Sequence, residues 1–167
     1  MDWYVLQTLT GREQDAKAAL LRAGLDARVS TELRPIHRRG RWTEQEYTLL
    51  PGYVFVGMDF TASLYRAIVD APGAVRLLGM AGERPTTMLP DEAEFWGLTG
   101  PPAPLVPSTV EFDAYGTPRI VAGPLKGREE QIIKIDRHAR RAHVRARTGA
   151  YTHYAKFGIR PVDGDAP

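Results

Sequence analysis

The alternation of apolar and polar positions divides the first part of the chain into one strand and one helix. Residues 3–9 are rich in β-favouring side chains. Thr10 and Glu13 have the spacing of a capping box, in which a hydroxyl and a carboxylate bind the free amides at the start of a helix. Apolar residues then recur at helical spacing, and Gly24 is placed to end that helix.

The next segments predict a hairpin and then further strands and helices. Residues 28–36 and 42–50 are extended in character and flank a basic tip at 37–41 that contains Gly40. The pattern then predicts a strand at 53–56, a short helix at 62–69, a strand at 75–78 and a helix from Pro90 through Trp96. This order predicts an α+β domain whose antiparallel sheet carries helices mainly on one face.

The remainder of the chain predicts a linker and a small all-β domain. Residues 99–109 contain four prolines and no charged residue, which is typical of a stiff interdomain linker. From residue 110 to residue 161, short β-rich runs alternate with glycine-bearing turns, as in a small β-barrel. The expected division is therefore an α+β domain at 1–98, a linker at 99–109 and an all-β domain at 110–163.

Within the predicted barrel, two strands flank a turn at residues 136–141. Apolar and polar side chains alternate along both strands, so one face is expected to be buried and the other cationic. The expected buried positions are Ile133, Ile135, Ala142, Val144 and Ala146, and the expected outer positions are Lys134, His143, Arg145 and Arg147.

Charge is distributed unevenly along the chain. Residues 1–98 contain 11 lysines and arginines against 13 aspartates and glutamates, a net charge of −2. Residues 110–163 contain 11 against 6, a net charge of +5. A basic module beside a near-neutral domain indicates a polyanionic partner, because basic clusters attract phosphate backbones. Surface charge that serves only solubility is the open alternative.

The composition argues against catalysis, metal binding and cofactor binding. There is no cysteine, which excludes disulfides and thiolate metal sites. The four histidines have no recognised ligand spacing, and no sequence pattern of a zinc protease or a serine hydrolase is present. The glycines of residues 123–127 suggest a phosphate loop, but no helix is predicted to follow them. Without a leader pattern or an apolar run of about 20 residues, we expect a soluble, cytoplasmic protein. The missing catalytic motifs predict that it is not an enzyme, and we also expect a monomer.

Several motifs carry a resemblance to a known family. In order and spacing they are Trp3-Tyr4-Val5, residues 50–56 and residues 71–75. Residues 121–127 resemble a KOW motif. On these segments the chain resembles the NusG family of transcription elongation factors over nearly its whole length. The resemblance implies an NGN-like N-terminal domain followed by an SH3-like KOW barrel.

The resemblance also implies a polymerase-binding patch. In the family, an exposed apolar patch binds the clamp helices of the largest RNA polymerase subunit. Carried over to this sequence, the patch comprises Trp3, Leu50, Tyr53 and Phe55. The two-residue spacing places Tyr53 and Phe55 on one strand face, so we expect that face to stay open to a partner. Coverage of both faces within the domain is the alternative.

The basic hairpin of the predicted barrel favours RNA, because arginine binds phosphates and stacks on bases. The predicted RNA-binding residues are Lys134, Arg137, His138, Arg140, Arg141, His143, Arg145 and Arg147, with Tyr151 and Tyr154 as candidate stacking platforms. A solvated hairpin with its aromatic rings in the barrel core is the alternative. Arg38, Arg39 and Arg41 at the first hairpin tip are candidates for a further nucleic-acid contact.

Two departures from the family pattern bear on the type of member. Glu130 stands where a second glycine is common, and Thr148-Gly149 stands where many housekeeping members have Phe-Gly. In the family, that aromatic ring belongs to the surface that meets a ribosomal protein and Rho, so neither partner is expected. Residues 134–138 and 140–142 resemble specialised paralogues such as LoaP, which implies a processive antiterminator that recognises a structured RNA leader. The alternatives are a housekeeping NusG and a ribosome-associated KOW protein that binds RNA.

Overall fold

The computed structural model describes residues 1–82 and 84–162, so residue 163 of the predicted all-β domain lies outside the described part. The helices are α1 (Glu13–Arg22), α2 (Ala62–Val69) and α3 (Pro90–Phe95), with a short 3₁₀ turn at Glu129–Gln131. The strands are β1 (Asp2–Thr8), β2 (Asp26–Arg28), β3 (Thr31–Arg38), β4 (Arg41–Thr48), β5 (Tyr53–Met58), β6 (Ala74–Leu77), β7 (Met80–Ala81), β8 (Arg84–Pro85), β9 (Ser108–Phe112), β10 (Pro118–Ala122), β11 (Ile132–Asp136), β12 (Arg141–Thr148) and β13 (Tyr151–Pro161). None of the helices in these ranges is long and apolar enough to cross a membrane.

The chain divides into two compact units, each assembled from separate stretches of sequence. The first unit contains residues 1–30, 50–102 and 147–153. The second contains residues 31–49, residues 103–146 and, of the described residues, 154–162. The domain boundaries derived from the sequence remain a prediction.

The first unit is built on a four-stranded antiparallel sheet with the order β2-β5-β1-β6. One face of this sheet packs against α1 and α2. The core on that face includes Tyr4, Leu6, Val54 and Val56 from the strands, Ala16 and Leu20 from α1, and Ile68 from α2. The expected α+β architecture is confirmed, with two of the described helices on one face of the sheet.

The start of α1 differs from the predicted capping box. Arg12 occupies the N-cap position and makes no side-chain cap bond. The Glu13 carboxylate instead accepts hydrogen bonds from the Gly11 amide at 2.9 Å and the Gly52 amide at 2.6 Å. The capping-box prediction is wrong, because the turn before β5 presents a buried amide that recruits this carboxylate.

The predicted basic hairpin is confirmed as β3 and β4, which pair in register from Thr31 opposite Thr48 to Arg38 opposite Arg41. Arg39 and Gly40 form the tip with φ of 50° and 78°, as a tight two-residue turn requires. The hairpin forms a sheet of its own in the second unit. Leu105 extends it, because its amide donates to the Thr31 carbonyl and its carbonyl accepts from the Leu33 amide, each at 2.8 Å.

The second unit also contains most of a five-stranded sheet with the order β10-β9-β13-β12-β11. The predicted alternation is confirmed in β12, where Ala142, Val144 and Ala146 are buried and Arg145 is exposed. It is wrong for Ile133, which is 58% exposed. The pairing of β11 with β12 shifts register between Ile132 and Lys134, so the strand does not keep a strict two-residue alternation.

Candidate functional site

The second face of the four-stranded sheet carries the aromatic residues that the sequence singles out. Val5 lies opposite Phe55, and Trp3 lies opposite Gly57. Directly opposed residues in antiparallel strands point to the same side, so Trp3, Phe55 and Tyr53 share one face. The predicted division of β5 into two faces is confirmed, because Val54 and Val56 belong to the core beneath α1 and α2.

This aromatic face is largely covered. Phe55 is fully buried and stacks on Trp96, with the ring centroids 6.0 Å apart. Leu50 is also buried, whereas Trp3 and Tyr53 are half-buried. The prediction of an open patch is therefore wrong for Leu50 and Phe55. The reason is that α3 places Trp96, its C-cap residue, over the centre of the face.

Trp3 lies at one side of the face, next to a glycine and a cation. A Cβ atom added at Gly57 would come within 3.3 Å of indole Cη2 of Trp3, so the absence of a side chain there makes room for the ring. The guanidinium carbon of Arg28 lies 5.1 Å from the centroid of the Trp3 ring system. The accessible part of Trp3 is therefore an aromatic surface beside an arginine whose guanidinium forms an ion pair with Asp26 at 2.9 Å.

Residues 147–153, which belong to the same unit, contact Tyr53 on this aromatic face and Trp96, which covers it. The indole Nε1 of Trp96 donates a hydrogen bond to the Arg147 carbonyl at 3.1 Å. The His153 ring meets Tyr53 edge-on, with centroids 4.6 Å apart. Burial lowers the pKa of His153, and its Nδ1 is hydrogen-bonded to the Thr148 hydroxyl.

Glu92 anchors the same segment. Its Oε2 accepts hydrogen bonds from the amides of Leu89 and Gly149, both at 3.0 Å, and its Oε1 lies 3.5 Å from Arg147 Nε. The sequence pattern did not indicate this role for the Glu92 carboxylate. Its second amide partner is distant in sequence, and no local pattern indicates it.

The predicted RNA-binding residues differ in their accessibility. Exposed members are Lys134, Arg137, His138, Arg145 and Arg147, while Arg141 and His143 are half-buried. In the second unit, Lys134 lies directly opposite His143 in the pairing of β11 with β12. Lys134, His143 and Arg145 therefore form a continuous polar surface, which we call the basic strand face. Arg147 belongs to the first unit, beside Glu92.

Arg140 is the exception in this set, because it is buried. Its backbone has a φ of 53°, and its carbonyl accepts a hydrogen bond from the Ile159 amide at 3.1 Å. Its guanidinium carbon lies 3.9 Å from the centroid of the Trp42 ring system. The expectation that Arg140 belongs to an open basic surface is therefore wrong, since the turn directs its side chain onto the β3–β4 hairpin.

The other predicted contacts are accessible. Tyr151 and Tyr154 are 41% and 69% exposed, so neither ring is part of a barrel core. Arg38, Arg39 and Arg41 are exposed at the tip of the hairpin. Among residues 1–82 and 84–162, no group of three or more histidine, aspartate or glutamate side chains is arranged to hold a metal ion.

Comparison with known proteins identifies the family. Residues 1–95 match the family model described as transcription termination factor NusG. The transcription termination/antitermination protein NusG of Helicobacter pylori is 29% identical over 98 residues, which cover 53% of this chain and 55% of that protein. The chain thus spans about half the length of this relative. The protein with the same description from Streptococcus pyogenes serotype M1 is 26% identical over 152 residues, which cover 80% of each chain.

A solved structure described as domain interaction in Thermotoga maritima NusG matches the fold with a TM-score of 0.56. The two chains share 20% sequence identity, and the match covers 95% of this chain and 93% of the other. This likeness supports the α+β fold of the N-terminal part. Because the family model matches more than half of the residues, the chain belongs to the NusG family of transcription termination and antitermination factors.

Proposed function

We propose that this protein is a specialised antitermination factor of the LoaP type. It binds RNA polymerase through an NGN-like domain at 1–98 and a structured RNA leader through a KOW domain at 110–163, with residues 99–109 as the linker. It acts as a cytoplasmic monomer without a cofactor. The basic strand face carries the proposal, because Lys134 of β11 lies beside His143 and Arg145 of β12, a strand whose other side is buried.

The polymerase contact is proposed for the aromatic face of the sheet. Trp3 and Tyr53 are its accessible members, whereas Leu50 and Phe55 are buried. The half-buried rings of Trp3, which lies beside Arg28, and of Tyr53 suit the clamp helices of the largest polymerase subunit, since aromatic residues and arginine dominate binding energy at interfaces.

A pull-down with the isolated clamp helices tests this contact. We expect Tyr53→Ala to weaken binding by about tenfold, the usual effect of losing a central aromatic contact. Tyr115→Ala removes a tyrosine that is 95% exposed in the second unit and serves as the matched control. Equal binding by both variants and the unaltered protein would remove the polymerase proposal.

The RNA contact of the second unit is proposed for Lys134, His143 and Arg145, extended by Arg137, His138 and Arg141. Arg147 of the first unit is proposed separately as an RNA-binding residue. Replacement of Lys134 and Arg145 by alanine is expected to lower the affinity for the leader RNA and to reduce the slope of log affinity against log salt by about 1 to 2, because fewer counterions are released. Replacement of Arg22 and Arg66, two exposed cations of the first unit, controls for net charge. An unchanged slope in the first variant would contradict a phosphate contact at this face.

The KOW assignment is supported by the turn after β10. Gly123 has a φ of 97°, and Leu125 beyond it is fully buried with its amide donating to the Ser108 hydroxyl at 3.0 Å. Thr148 supports a specialised role, because it stands where many housekeeping members have an aromatic residue. Its side chain is buried, and its hydroxyl is hydrogen-bonded to His153. A ribosomal protein and Rho are therefore not proposed as partners.

Two alternatives have distinct consequences. A housekeeping NusG would bind a small-subunit ribosomal protein or Rho. A ribosome-associated KOW protein would bind RNA without binding the polymerase clamp helices. Transcription with purified polymerase through a terminator, with and without the leader RNA, separates the specialised role from both, since only a specialised factor requires the leader for readthrough.

A further inference from the structure

Two exposed side chains of β13 lie beside the basic strand face in the second unit. Tyr154 and Lys156 are exposed, whereas Ala155 and Phe157 of the same strand are buried. Side chains two residues apart on a strand point to the same side, so Tyr154 and Lys156 share the outer face of β13. This strand is the neighbour of β12 in the five-stranded sheet. The RNA contact proposed above includes neither side chain.

The register between β12 and β13 places Tyr154 next to Arg145. A two-residue turn at 149–150 joins the strands, so they run antiparallel. At the other end of this hairpin, the Ile159 amide donates a hydrogen bond to the Arg140 carbonyl at 3.1 Å. Counting along the chain from either end gives the same pairing, in which Arg145 lies opposite Tyr154. Directly opposed residues share a face, so the tyrosine ring extends the basic strand face.

The same register places Lys156 opposite His143, and Lys134 lies opposite His143 on the other side. The outer surface of the three strands therefore carries three cations. Arg145 and Lys156 form no ion pair with any other residue that the structure describes. Lys134 interacts with Asp136 at the end of β11. Positive charge on this surface is thus in excess and available to a polyanion.

The ring of Tyr154 is open to a planar ligand. Tyr154 is 69% exposed, and within the described part of the chain no other ring or guanidinium packs on it. Two other rings of the second unit are already occupied by arginine. Arg34 lies 4.8 Å from the centroid of Tyr47, and Arg137 lies 4.7 Å from the centroid of Phe112. Tyr154 therefore has cations beside it but none over its ring.

Hydrogen bonds hold this stretch of β13 in place. Arg34 Nη2 donates to the Lys156 carbonyl at 2.8 Å, and the Gly158 amide donates to Glu32 Oε2 at 2.7 Å. The side chain of Phe157, on the opposite side of the strand, is only 1% exposed. An aromatic ring on a fixed strand loses little conformational freedom when a ligand stacks on it, which favours binding.

We propose that Tyr154 stacks on an unpaired base of single-stranded RNA, while Arg145 and Lys156 bind the neighbouring phosphates. The inference rests on the proposed RNA-binding function and deepens it, because it assigns this surface to unpaired nucleotides. The bases of a duplex are stacked on one another, whereas those of a loop or a free end can stack on a protein ring. Within a structured leader, the element recognised is therefore a loop or another single-stranded stretch.

Fluorescence of a modified RNA tests the stacking. The probe is a single-stranded octamer of uridines with one central 2-aminopurine, whose emission falls when the base stacks on an aromatic ring. We expect the full-length protein and Tyr154→Phe to quench this emission equally. Tyr154→Ala should lose most of the quenching and bind the octamer about tenfold more weakly. Tyr115→Ala, at a tyrosine that is 95% exposed elsewhere in the second unit, should behave like the unaltered protein.

Salt dependence separates stacking from charge. Tyr154→Ala removes no charge, so the slope of log affinity against log salt should not change. Arg145→Ala and Lys156→Ala should each reduce this slope by about 0.7, the contribution of one phosphate contact to a single strand. Lys126→Ala, at an exposed lysine in the turn after β10, is the matched control and should keep the slope. Full quenching or a reduced slope in Tyr154→Ala would overturn the stacking.

The outcomes separate this proposal from the RNA-binding function. If replacement of Lys134 and Arg145 weakens leader binding but Tyr154→Ala changes neither affinity nor quenching, the stacking is wrong and the RNA-binding function stands. If neither the octamer nor the leader binds, both fail. A blunt RNA duplex that displaces the octamer at equal nucleotide concentration would show that the surface binds paired RNA and overturn the proposal. Equally effective displacement by polyglutamate would indicate an acidic protein partner and also overturn it.

Discussion

Phe55 and Trp96 stack within the first unit, with ring centroids 6.0 Å apart and ring planes inclined by 29°. Both side chains are at most 1% exposed. The strand β5 therefore has two buried faces, one beneath α1 and α2 and the other beneath the end of α3. This relationship separates the aromatic residues that stabilise the unit from Trp3 and Tyr53, which remain accessible for a partner.

Phe55→Ala is expected to destabilise the protein by about 3–5 kcal/mol, because it leaves a cavity beneath Trp96. Tyr53→Ala removes a half-buried ring and is expected to cost only about 1 kcal/mol. Urea denaturation followed by circular dichroism measures both free energies of unfolding. Val75→Ala, at a residue that is 53% exposed, is the control. Similar losses for Phe55→Ala and Tyr53→Ala would contradict the assigned difference in burial.

Glu92→Ala is expected to cost about 1–3 kcal/mol, since it leaves the amides of Leu89 and Gly149 without their acceptor. Glu92→Gln keeps an oxygen at the Oε2 position and is expected to cost much less. Thermal denaturation measures the difference. Hydrogen exchange at the Gly149 amide provides a local readout and should accelerate in the alanine variant. Unchanged exchange at Gly149 would show that the carboxylate does not protect this amide.

Glu32 is expected to make stability depend on pH. Burial raises its pKa above the ordinary value of 4.5, although hydrogen bonds from the Gly158 amide and from Arg34 act in the opposite direction. The native state then holds this proton more tightly than the unfolded chain does, so the contribution of Glu32 falls as pH rises through the window above 4.5.

The measurement compares the free energies of unfolding of the unaltered protein and Glu32→Gln at pH 4 and pH 7. The glutamine variant does not titrate at this position, so its stability relative to the unaltered protein should improve as pH rises. A relative stability that instead worsens with pH would show that the hydrogen bonds outweigh the burial.

Gly123→Ala is expected to destabilise the second unit more than Gly116→Ala does. Both glycines have positive φ, 97° and 81°, so alanine is strained at either position. At Gly123 the added Cβ would also lie 2.6 Å from Cα of Ser108, whereas at Gly116 it meets no atom within 4 Å. We expect a loss of about 1 kcal/mol at Gly116 and about 2–3 kcal/mol or more at Gly123, measured by urea denaturation. Equal losses would mean that the backbone angle alone accounts for both.

Local pattern was sufficient for most of the secondary structure. The β3–β4 hairpin with its tip near Gly40, the helix that begins at Pro90 and the two faces of β5 all follow from spacing along the chain. Side chains two residues apart share a strand face, and proline and glycine restrict the backbone where they stand. These effects act between residues that are close in sequence, so the secondary structure that depends on them can be predicted from the sequence alone.

The sequence by itself therefore determined most of the elements, the division of β5 into two faces, the buried and exposed sides of β12, and the motifs that carry the family resemblance. Only the tertiary structure decided that Trp96 covers Phe55, that Glu13 binds the Gly52 amide, and that Arg140 is buried on Trp42. Each of these contacts joins residues far apart in the chain, where several partners of suitable chemistry compete. Packing in three dimensions selects one of them, and no periodicity along the sequence records that choice.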